Sequence, residues 1–210
     1  LLVRVNSALL LKREIDMRKK REIELLEVKR KLEEASGKLQ QVSLTDPLTG
    51  LANQRHFDSM LRTETRRAMR GHYFLSLIRT SIDYFKQYSD SYGCQCGDEL
   101  LQEVAKILKN SAKRVADFVA YYGHEDFYCI LPMTNSSGAL RVAQTMQESA
   151  ESLHISHKGN TASEFVTLSF GVATALGELG LTSSKLTAMA DEALYRAKQA
   201  GGNQVVMYKR

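Results

Sequence analysis

The sequence predicts an α/β protein in which helices surround a mixed β-sheet, preceded by a long N-terminal helix. Helical and strand-like segments alternate from residue 44 onward, and a β-hairpin pattern lies among them. Residues 1–43 contain no proline and are rich in Glu, Lys, Arg and Leu. Alternation of the two kinds of segment is typical of layered α/β folds. The 43% apolar and 25% charged residues also fit a globular domain rather than a disordered chain.

Residues 1–43 are predicted to form a linker helix that pairs as a coiled coil. Their apolar residues follow spacings of three and four, the heptad pattern of paired helices: Leu25, Val28, Leu32, Ala35, Leu39 and Val42. The pattern fails upstream, where Arg18 and Arg21 fall on the same face, so the paired stretch is short. We expect a homodimer through this helix. The alternative is a single amphipathic helix that lies on the domain.

Residues 44–210 are predicted to form one domain, whose elements follow from their patterns in order. A helix begins near residue 53, after the breaks at Pro47 and Gly50. "YFLSLIRTSID" has the β-branched and aromatic residues of a buried strand, and "GDELLQEVAKILKNSA" is an amphipathic helix. "DFVAYY" and "EDFYCILP" flank "GH" as the strands of a hairpin. A helix ("SGALRVAQTMQESAESL"), a strand ("FVTLSFGVAT"), a helix ("SKLTAMADEALYRAKQAG") and a strand ("QVVMY") complete the domain.

Charge and cysteine content argue against several classes of protein. The net charge is +5, and Lys and Arg are interleaved with Glu, which indicates solvated helix surface rather than a nucleic-acid interface. No apolar run has the length of a membrane span. Three cysteines, Cys94, Cys96 and Cys129, lack the spacing of a disulfide framework or zinc site. We expect plain thiols and a cytoplasmic protein with neither nucleic acid nor membrane as a partner.

Four motifs along residues 44–208 together resemble those of the GGDEF family of bacterial diguanylate cyclase domains. They are "LTDPLTGLANQRHF", "SIDYFKQYSDSYGCQCGD", "YGHEDF" and "ADEALYRAKQAGGN". The resemblance implies a nucleotidyl-cyclase-like fold. It also implies a reaction that joins two GTP into cyclic di-GMP on two Mg²⁺ held by carboxylates. Upstream, "LLVRVNSALLLKRE" resembles the last helix of a response-regulator receiver domain, and a chain that begins without Met is expected to be a fragment.

The resemblance places the magnesium ligands at the end of the first strand and in the hairpin. One metal carboxylate is replaced by Ser81, a neutral hydroxyl, and Glu125 supplies the other. Asp83 lies two residues further along the strand, a shift of about 6–7 Å. Magnesium is therefore expected only if GTP is bound, and then on Glu125 and Asp83.

The hairpin motif keeps only part of its family pattern. Gly123 is present, but the second glycine is His124, for which a positive φ is strained. Asp126 replaces a glutamate and is one methylene shorter. Glu125 and Asp126 are therefore interpreted as vestigial catalytic residues.

The nucleotide-binding positions implied by the resemblance are also incomplete. Of the pair that reads guanine, Asp98 is kept while Ser89 replaces an asparagine. Of the triphosphate pair, Lys198 is kept while Gly202 replaces an arginine. Lys86 is a further candidate for a phosphate contact. The alternative is that Lys86 is an ordinary exposed lysine. We therefore describe a vestigial nucleotide site made of Gly123, His124, Lys86, Asp98 and Lys198.

"RVAD" precedes the hairpin at the offset where the resemblance implies an inhibitory site for cyclic di-GMP. Arg114 can present two N–H groups to guanine O6 and N7, and Asp117 can accept from the base N1–H and amino group. Arg141 on the following helix is a candidate second cation, although the position that matches the family's arginine is Thr145. The alternative is that Arg114 and Asp117 only form an exposed local ion pair.

These patterns favour a degenerate, catalytically inactive GGDEF domain that acts as a cyclic di-GMP receptor and requires no cofactor. A dimer through the N-terminal helix and a downstream protein partner are expected with it. Two alternatives remain open at this point. One is a weakly active diguanylate cyclase, and the other is a GTP-binding or purely structural dimerisation module.

Overall fold

The computed structural model of the protein describes residues 17–22, 25–27, 29–30, 43–161 and 163–209. The chain divides into two units, Leu1–Ser43 and Leu44–Arg210. In the first unit, residues 17–22, 25–27 and 29–30 are helical and exposed, and Leu25 is 70% exposed. The remaining heptad positions and the receiver-like segment lie outside the described residues. Coiled-coil pairing and the homodimer therefore stay predictions.

The second unit is the mixed sheet with surrounding helices that the sequence predicted. Its strands are β1 (Phe74–Ile82), β2 (Phe118–Gly123), β3 (Asp126–Pro132), β4 (Leu168–Leu176) and β5 (Val205–Met207). Its helices are α1 (Gln54–Gly71), α2 (Phe85–Tyr92), α3 (Cys94–Ser111), α4 (Ser136–Glu151) and α5 (Ser183–Gln199). The strand order is β2-β3-β1-β4-β5. The first three neighbouring pairs are antiparallel, and β4 and β5 are parallel.

Strand β1 lies at the centre of the sheet and separates two apolar clusters. Ile78 and Ile82 face the cluster that includes residues of α3 and α4. Leu75 and Leu77 face the cluster that includes residues of α1 and α5. Alternate residues of a strand point to opposite faces, so Arg79 and Ser81 also lie on the α5 side of the sheet. Because both faces of β1 are covered, its apolar residues occur at both odd and even positions.

Three helices begin where an asparagine or threonine caps their first turn. Asn53 accepts a hydrogen bond from the His56 N–H before α1, Asn135 from Gly138 before α4, and Thr182 from Lys185 before α5. Each side chain satisfies one of the backbone N–H groups that a helix leaves unpaired at its start. With these caps, α1, α4 and α5 begin within a few residues of the starts that the sequence predicts.

Helix α2 is the element that the sequence analysis did not predict. It has eight residues and follows Tyr84, whose φ is 54°, so the chain turns sharply out of β1 before the helix begins. Helices this short have little periodicity to recognise, and the segment was interpreted only as a motif. Among the described residues, no helix is both long enough and apolar enough to cross a membrane.

The hairpin turn lies one residue later than predicted. Gly123 pairs with Asp126, so the turn residues are His124 and Glu125 rather than Gly123 and His124. The register shifts between Tyr121 and Gly123, and this irregularity adds a residue to β2. His124 has a φ of 53°, as expected for a residue that replaces a turn glycine.

Candidate functional site

The residues predicted for the active site meet at the end of β1. Ser81 lies opposite Asp126 of β3 and opposite Ser169 of β4 in the sheet register. The Ile82 N–H donates to the carbonyl of Glu125 at 3.2 Å, which holds the hairpin turn against the end of β1. The end of α5 approaches from the same side of the sheet and brings Lys198 to Ser81.

The ammonium group of Lys198 lies next to Ser81. Lys198 Nζ donates a hydrogen bond to Ser81 Oγ at 2.8 Å, and Ser81 is fully buried. The partner of this positive charge is a neutral hydroxyl, so the contact does not neutralise it. A cation bound to the Ser81 hydroxyl would lie close to the ammonium and be repelled by it.

The Asp83 carboxylate accepts hydrogen bonds from groups within the protein. Its carboxylate is 4% exposed and accepts hydrogen bonds from the hydroxyls of Thr167 (2.8 Å) and Ser169 (2.6 Å). It also accepts from the Asn203 backbone N–H at 2.9 Å. A buried carboxylate needs such donors to offset its lost hydration. Asp83 therefore connects β1 with β4 and with the segment after α5.

Gly202 allows the close approach that this connection requires. It has a φ of 77°, and a Cβ built at this position would lie 3.2 Å from the Asp83 carboxylate. A side chain here would be strained by the backbone conformation and would crowd Asp83. Gly202, which stands where the resemblance implies an arginine, thus also makes room for the Asp83–Asn203 hydrogen bond.

Asp126 is held by an ion-pair network on the α5 side of the sheet. Arg79 Nη2 donates to Asp126 Oδ2 at 2.7 Å, and Nη1 lies 2.8 Å from Asp191 Oδ1 on α5. Tyr128 donates to the same Asp191 oxygen at 3.1 Å. Burial lowers the pKa of Arg79, but the hydrogen bonds with the two aspartates outweigh it and the pKa is raised. Asp126 therefore serves to fix the hairpin.

The hairpin turn is surrounded by acidic residues. The Tyr121 hydroxyl donates to the His124 carbonyl at 2.9 Å, and His124 is exposed. Burial, and then the negative charges of Asp46, Asp98, Glu125 and Asp126, raise the pKa of Tyr121 to about 12. Tyr121 is thus neutral near pH 7 and can donate this hydrogen bond.

The positions expected to contact the base, and the further phosphate candidate Lys86, lie on α2 and α3. Lys86 and Asp98 are exposed, and Ser89 is half-buried. A Cβ added at Gly97 would lie 2.7 Å from Ser89 Oγ, so the two helices approach each other closely here. The exposed side chains of Lys86 and Asp98 are accessible to a ligand.

The residues at the end of β1 do not fit a pair of magnesium ions. Within the part of the chain that the structure describes, no group of three or more His, Cys, Asp or Glu side chains could hold a metal ion. Ser81 is bonded to an ammonium, and Asp83 is occupied by three donors. Magnesium requires several hard oxygen ligands, carboxylates above all, and Glu125 alone does not supply them.

The Arg114–Asp117 pair forms a second candidate site, where β3 ends. Arg114 donates from Nη1 to Thr134 Oγ1 at 2.7 Å and from Nη2 to the Pro132 carbonyl at 3.0 Å. Its backbone N–H donates to Asp117 Oδ2 at 3.1 Å, and its Nε lies 3.9 Å from Asp117 Oδ1. The Arg114 side chain is 50% exposed, whereas that of Asp117 is 2% exposed. Thr134 precedes helix α4, on which Arg141 is exposed and Thr145 is half-buried.

Comparison with known proteins assigns this arrangement to a family. The family model described as "Diguanylate cyclase, GGDEF domain" matches residues 43–204. The chain belongs to the GGDEF family.

The relatives of this GGDEF domain include longer signalling proteins. Response regulator PleD of Caulobacter vibrioides is 36% identical over 168 residues, which are 79% of this chain and 36% of PleD. Diguanylate cyclase A of Treponema denticola is 41% identical over 135 residues, 64% of this chain and 35% of that protein. The chain therefore spans about a third of the length of these curated relatives.

Solved structures show the same fold. The GGDEF domain of DgcB from Caulobacter crescentus, solved in complex with c-di-GMP, matches with a TM-score of 0.72 and 30% identity, over 80% of this chain and 94% of that one. Diguanylate cyclase SiaD of Pseudomonas aeruginosa, solved with its activator SiaC, matches with a TM-score of 0.71 and 28% identity, over 96% of this chain and 76% of that one.

Sequence reasoning missed the residues that support the site. Arg79 holds Asp126 and also pairs with Asp191, which accepts from Tyr128. Thr167 and Ser169 hold Asp83. A signal for the first set was present, because Arg79 is the charged residue of a strand covered on both faces and a charge there needs an acidic partner. The hydroxyls of β4 gave no comparable signal, since Ser and Thr are common in strands for other reasons.

Proposed function

We propose that this GGDEF domain is a catalytically inactive receptor for cyclic di-GMP in bacterial signalling. The observation that carries the proposal is the hydrogen bond from Lys198 to Ser81, at the strand end where nucleotidyl transfer needs a metal carboxylate. Without the metal pair, the attacking hydroxyl and the α-phosphate lack the charge neutralisation on which phosphoryl transfer depends. Retained binding residues away from this point then favour recognition over catalysis.

Arg114 is the proposed anchor for the ligand. Its guanidinium already presents two N–H groups to two oxygens, Thr134 Oγ1 and the Pro132 carbonyl. Guanine O6 and N7 are a pair of acceptors of the same kind, so a ligand can exchange with these contacts. The DgcB domain solved with c-di-GMP, 30% identical to this chain, supports cyclic di-GMP as the dinucleotide.

Asp117 is the proposed second group of the site. In the described part of the chain, its buried Oδ1 has no hydrogen-bond partner, and Arg114 Nε lies 3.9 Å away. Movement of Arg114 toward a ligand uncovers this oxygen, which can then accept from the guanine N1–H and amino group. Asp117 Oδ2 continues to hold the Arg114 backbone N–H. Arg141 on α4 is the proposed additional cation for the stacked dinucleotide.

The proposed output is a change in how a protein partner is bound. Thr134 and Pro132 lead directly into α4, so an exchange of their Arg114 contacts for ligand contacts alters the start of that helix. SiaD, solved with its activator SiaC, shows that a relative with this fold assembles with another protein. The partner of this chain is proposed to be a downstream protein, with the chain itself acting as a dimer.

Calorimetric titration with cyclic di-GMP tests the receptor function. We expect saturable binding by the whole chain and a loss of affinity of about 5- to 150-fold in Arg114→Ala, since about 1–3 kcal/mol is typical for a bidentate base contact. Arg196→Ala is the matched control, because Arg196 is similarly exposed but pairs with Glu192 on α5. Absence of binding, or equal affinity in Arg114→Ala, would contradict the proposal.

Incubation with GTP and Mg²⁺, followed by chromatography, tests the loss of catalysis. We expect no cyclic di-GMP to accumulate beyond a reaction without protein. Formation of product by the unaltered chain would favour the alternative of a slow diguanylate cyclase.

A further inference from the structure

Helix α1 carries three arginines on the side that faces away from the sheet. Leu61 and Ala68 are buried in the apolar cluster beneath the helix, whereas Arg62, Arg66 and Arg70 are exposed. The arginines are four residues apart, so they lie along one side of the helix at intervals of about 6 Å along its axis. We call Arg62, Arg66 and Arg70 the arginine stripe.

The arginine stripe lacks the acidic partners that other exposed cations of the helices have. Lys106 lies 2.6 Å from Glu103 on α3, and Arg67 of α1 lies 2.7 Å from Glu64. Asp58, one turn before the stripe, forms no ion pair with it, and neither does any other residue in the described ranges. Like charges four residues apart on a helix repel each other, so this face of α1 is well suited to an anionic partner.

The helix dipole accounts for only one of the three arginines. Arg70 lies in the last turn of α1, where the negative end of the dipole favours a cation. The effect of the dipole falls off within that turn, so it gives no reason for the charges of Arg62 and Arg66.

An open depression lies within the stripe. It has a volume of about 420 Å³ and is lined by Thr63, Arg66, Met69 and Arg70. Met69 is half-buried, so an apolar side chain and two guanidinium groups line the same depression. Such a surface is complementary to carboxylates that lie beside an apolar side chain.

We infer that the arginine stripe is the docking surface for an acidic amphipathic helix of a partner protein. Glutamates four residues apart on such a helix have the same spacing as the three arginines, and an apolar side chain beside them packs against Met69. Each guanidinium can donate two parallel hydrogen bonds to one carboxylate. The inference rests on the proposed function for the existence of a protein partner, but not for cyclic di-GMP binding at Arg114.

The surface favours a protein helix over nucleic acid. Proteins that bind single strands stack the bases on aromatic side chains, and none is among the described residues that line the depression. The thioether of Met69 gives an apolar contact that a phosphate chain does not use. A helix that carries both carboxylates and an apolar side chain uses every group of this surface.

A synthetic helical peptide, with glutamate at every fourth position and a leucine beside the glutamates, tests the inference. Fluorescence anisotropy of the labelled peptide measures its binding to the whole chain. We expect saturable binding that weakens as salt is added, because exposed ion pairs are screened. The same peptide with glutamine in place of glutamate should not bind. Absence of binding by the glutamate peptide, or equal binding of both peptides, would overturn the inference.

Charge reversal on α1 tests the role of the stripe. The double variant Arg62→Glu, Arg66→Glu should bind the glutamate peptide at least about fourfold more weakly, since two exposed attractions become repulsions. It should also bind a peptide with lysine in place of glutamate, which the unaltered chain does not bind. Lys106→Glu with Lys185→Glu is the matched control, because it changes the net charge equally on other exposed helix positions. Equal losses in the two double variants would refute the docking surface.

Two further measurements separate this inference from its alternatives. A single-stranded oligonucleotide and vesicles of phosphatidylserine and phosphatidylcholine should bind more weakly than the glutamate peptide at the same salt concentration. Tighter binding of either probe, lost in Arg62→Glu, Arg66→Glu, would overturn the protein partner and assign the stripe to phosphate groups. Arg114→Ala should bind the glutamate peptide as the unaltered chain does, so the failure of cyclic di-GMP binding and the failure of this inference can be recognised separately.

Discussion

At the scale of single residues, several side chains that look like lost catalytic groups have structural partners in this protein. Asp126 pairs with Arg79, and Ser81 accepts from Lys198. Gly202 leaves room for the Asp83 carboxylate at the end of α5. Asp126 and Ser81 thus each have a charged partner, and Gly202 makes room for a carboxylate. Together these contacts form polar networks at the sheet end and the hairpin.

Arg79→Met is expected to lower the free energy of unfolding by about 1–3 kcal/mol, because it leaves Asp126 and Asp191 without their cation. The loss stays below the value for fully buried pairs, since the Asp126 side chain is 22% exposed and water can reach it. Urea denaturation measures the effect. Arg196→Met breaks an exposed pair with Glu192 and should cost about 0.5 kcal/mol or less. Equal losses in the two variants would contradict a structural role for the Arg79 network.

At the scale of elements, the β2–β3 hairpin combines a strained turn with strong support from its neighbours. His124 adopts a φ of 53°, which a non-glycine residue occupies at a cost. The Tyr121 hydroxyl and the pairing of Gly123 with Asp126 hold the turn in this conformation. The hairpin therefore forms a tight turn with a histidine in the left-handed conformation.

His124→Gly is expected to raise the free energy of unfolding by about 0.5–1 kcal/mol, because glycine adopts the left-handed conformation without steric cost. The hydrogen bond from Tyr121 is kept, since its acceptor is the backbone carbonyl. Glu125→Gly is the control at the adjacent turn position, which is outside the left-handed region, and it should be neutral or destabilising. Thermal and urea denaturation of both variants measure the difference. Destabilisation by His124→Gly would show that the imidazole itself supports the turn.

At the scale of the whole molecule, the chain divides into two units. Leu44–Arg210 contains the sheet, the helices and both candidate sites. The preceding unit has exposed apolar side chains among its described residues, including Leu25 and Leu26. Apolar residues on an exposed helix are the kind of surface that a paired helix would bury.

A chain shortened to residues 44–210 is expected to unfold in one cooperative transition and to be monomeric, because the described residues of its two apolar clusters all belong to Leu44–Arg210. The whole chain at the same concentration is expected to form dimers. Sedimentation equilibrium distinguishes the two states. Monomers in both cases would contradict pairing through the N-terminal helix, and dimers in both would move the interface to the domain.

The sequence by itself was enough to predict most of the helices and strands and to identify the family. Periodicity located four of the five helices and all five strands, because long amphipathic helices and apolar strands impose clear spacings on the chain. The four ordered motifs identified the GGDEF domain and the changed positions in it. Two short or irregular features were not predicted from the sequence: helix α2 and the exact position of the hairpin turn.

Only the tertiary structure decided what the changed residues do. Lys198 and Ser81 are 117 positions apart, and Asp83 and Asn203 are 120 apart, so no local pattern connects them. Their contacts arise because β1, β4 and the end of α5 meet at one edge of the sheet, where polar groups leave water and must find partners among themselves. The sequence shows which residue types stand at these positions, and the folded chain determines which neighbours they contact.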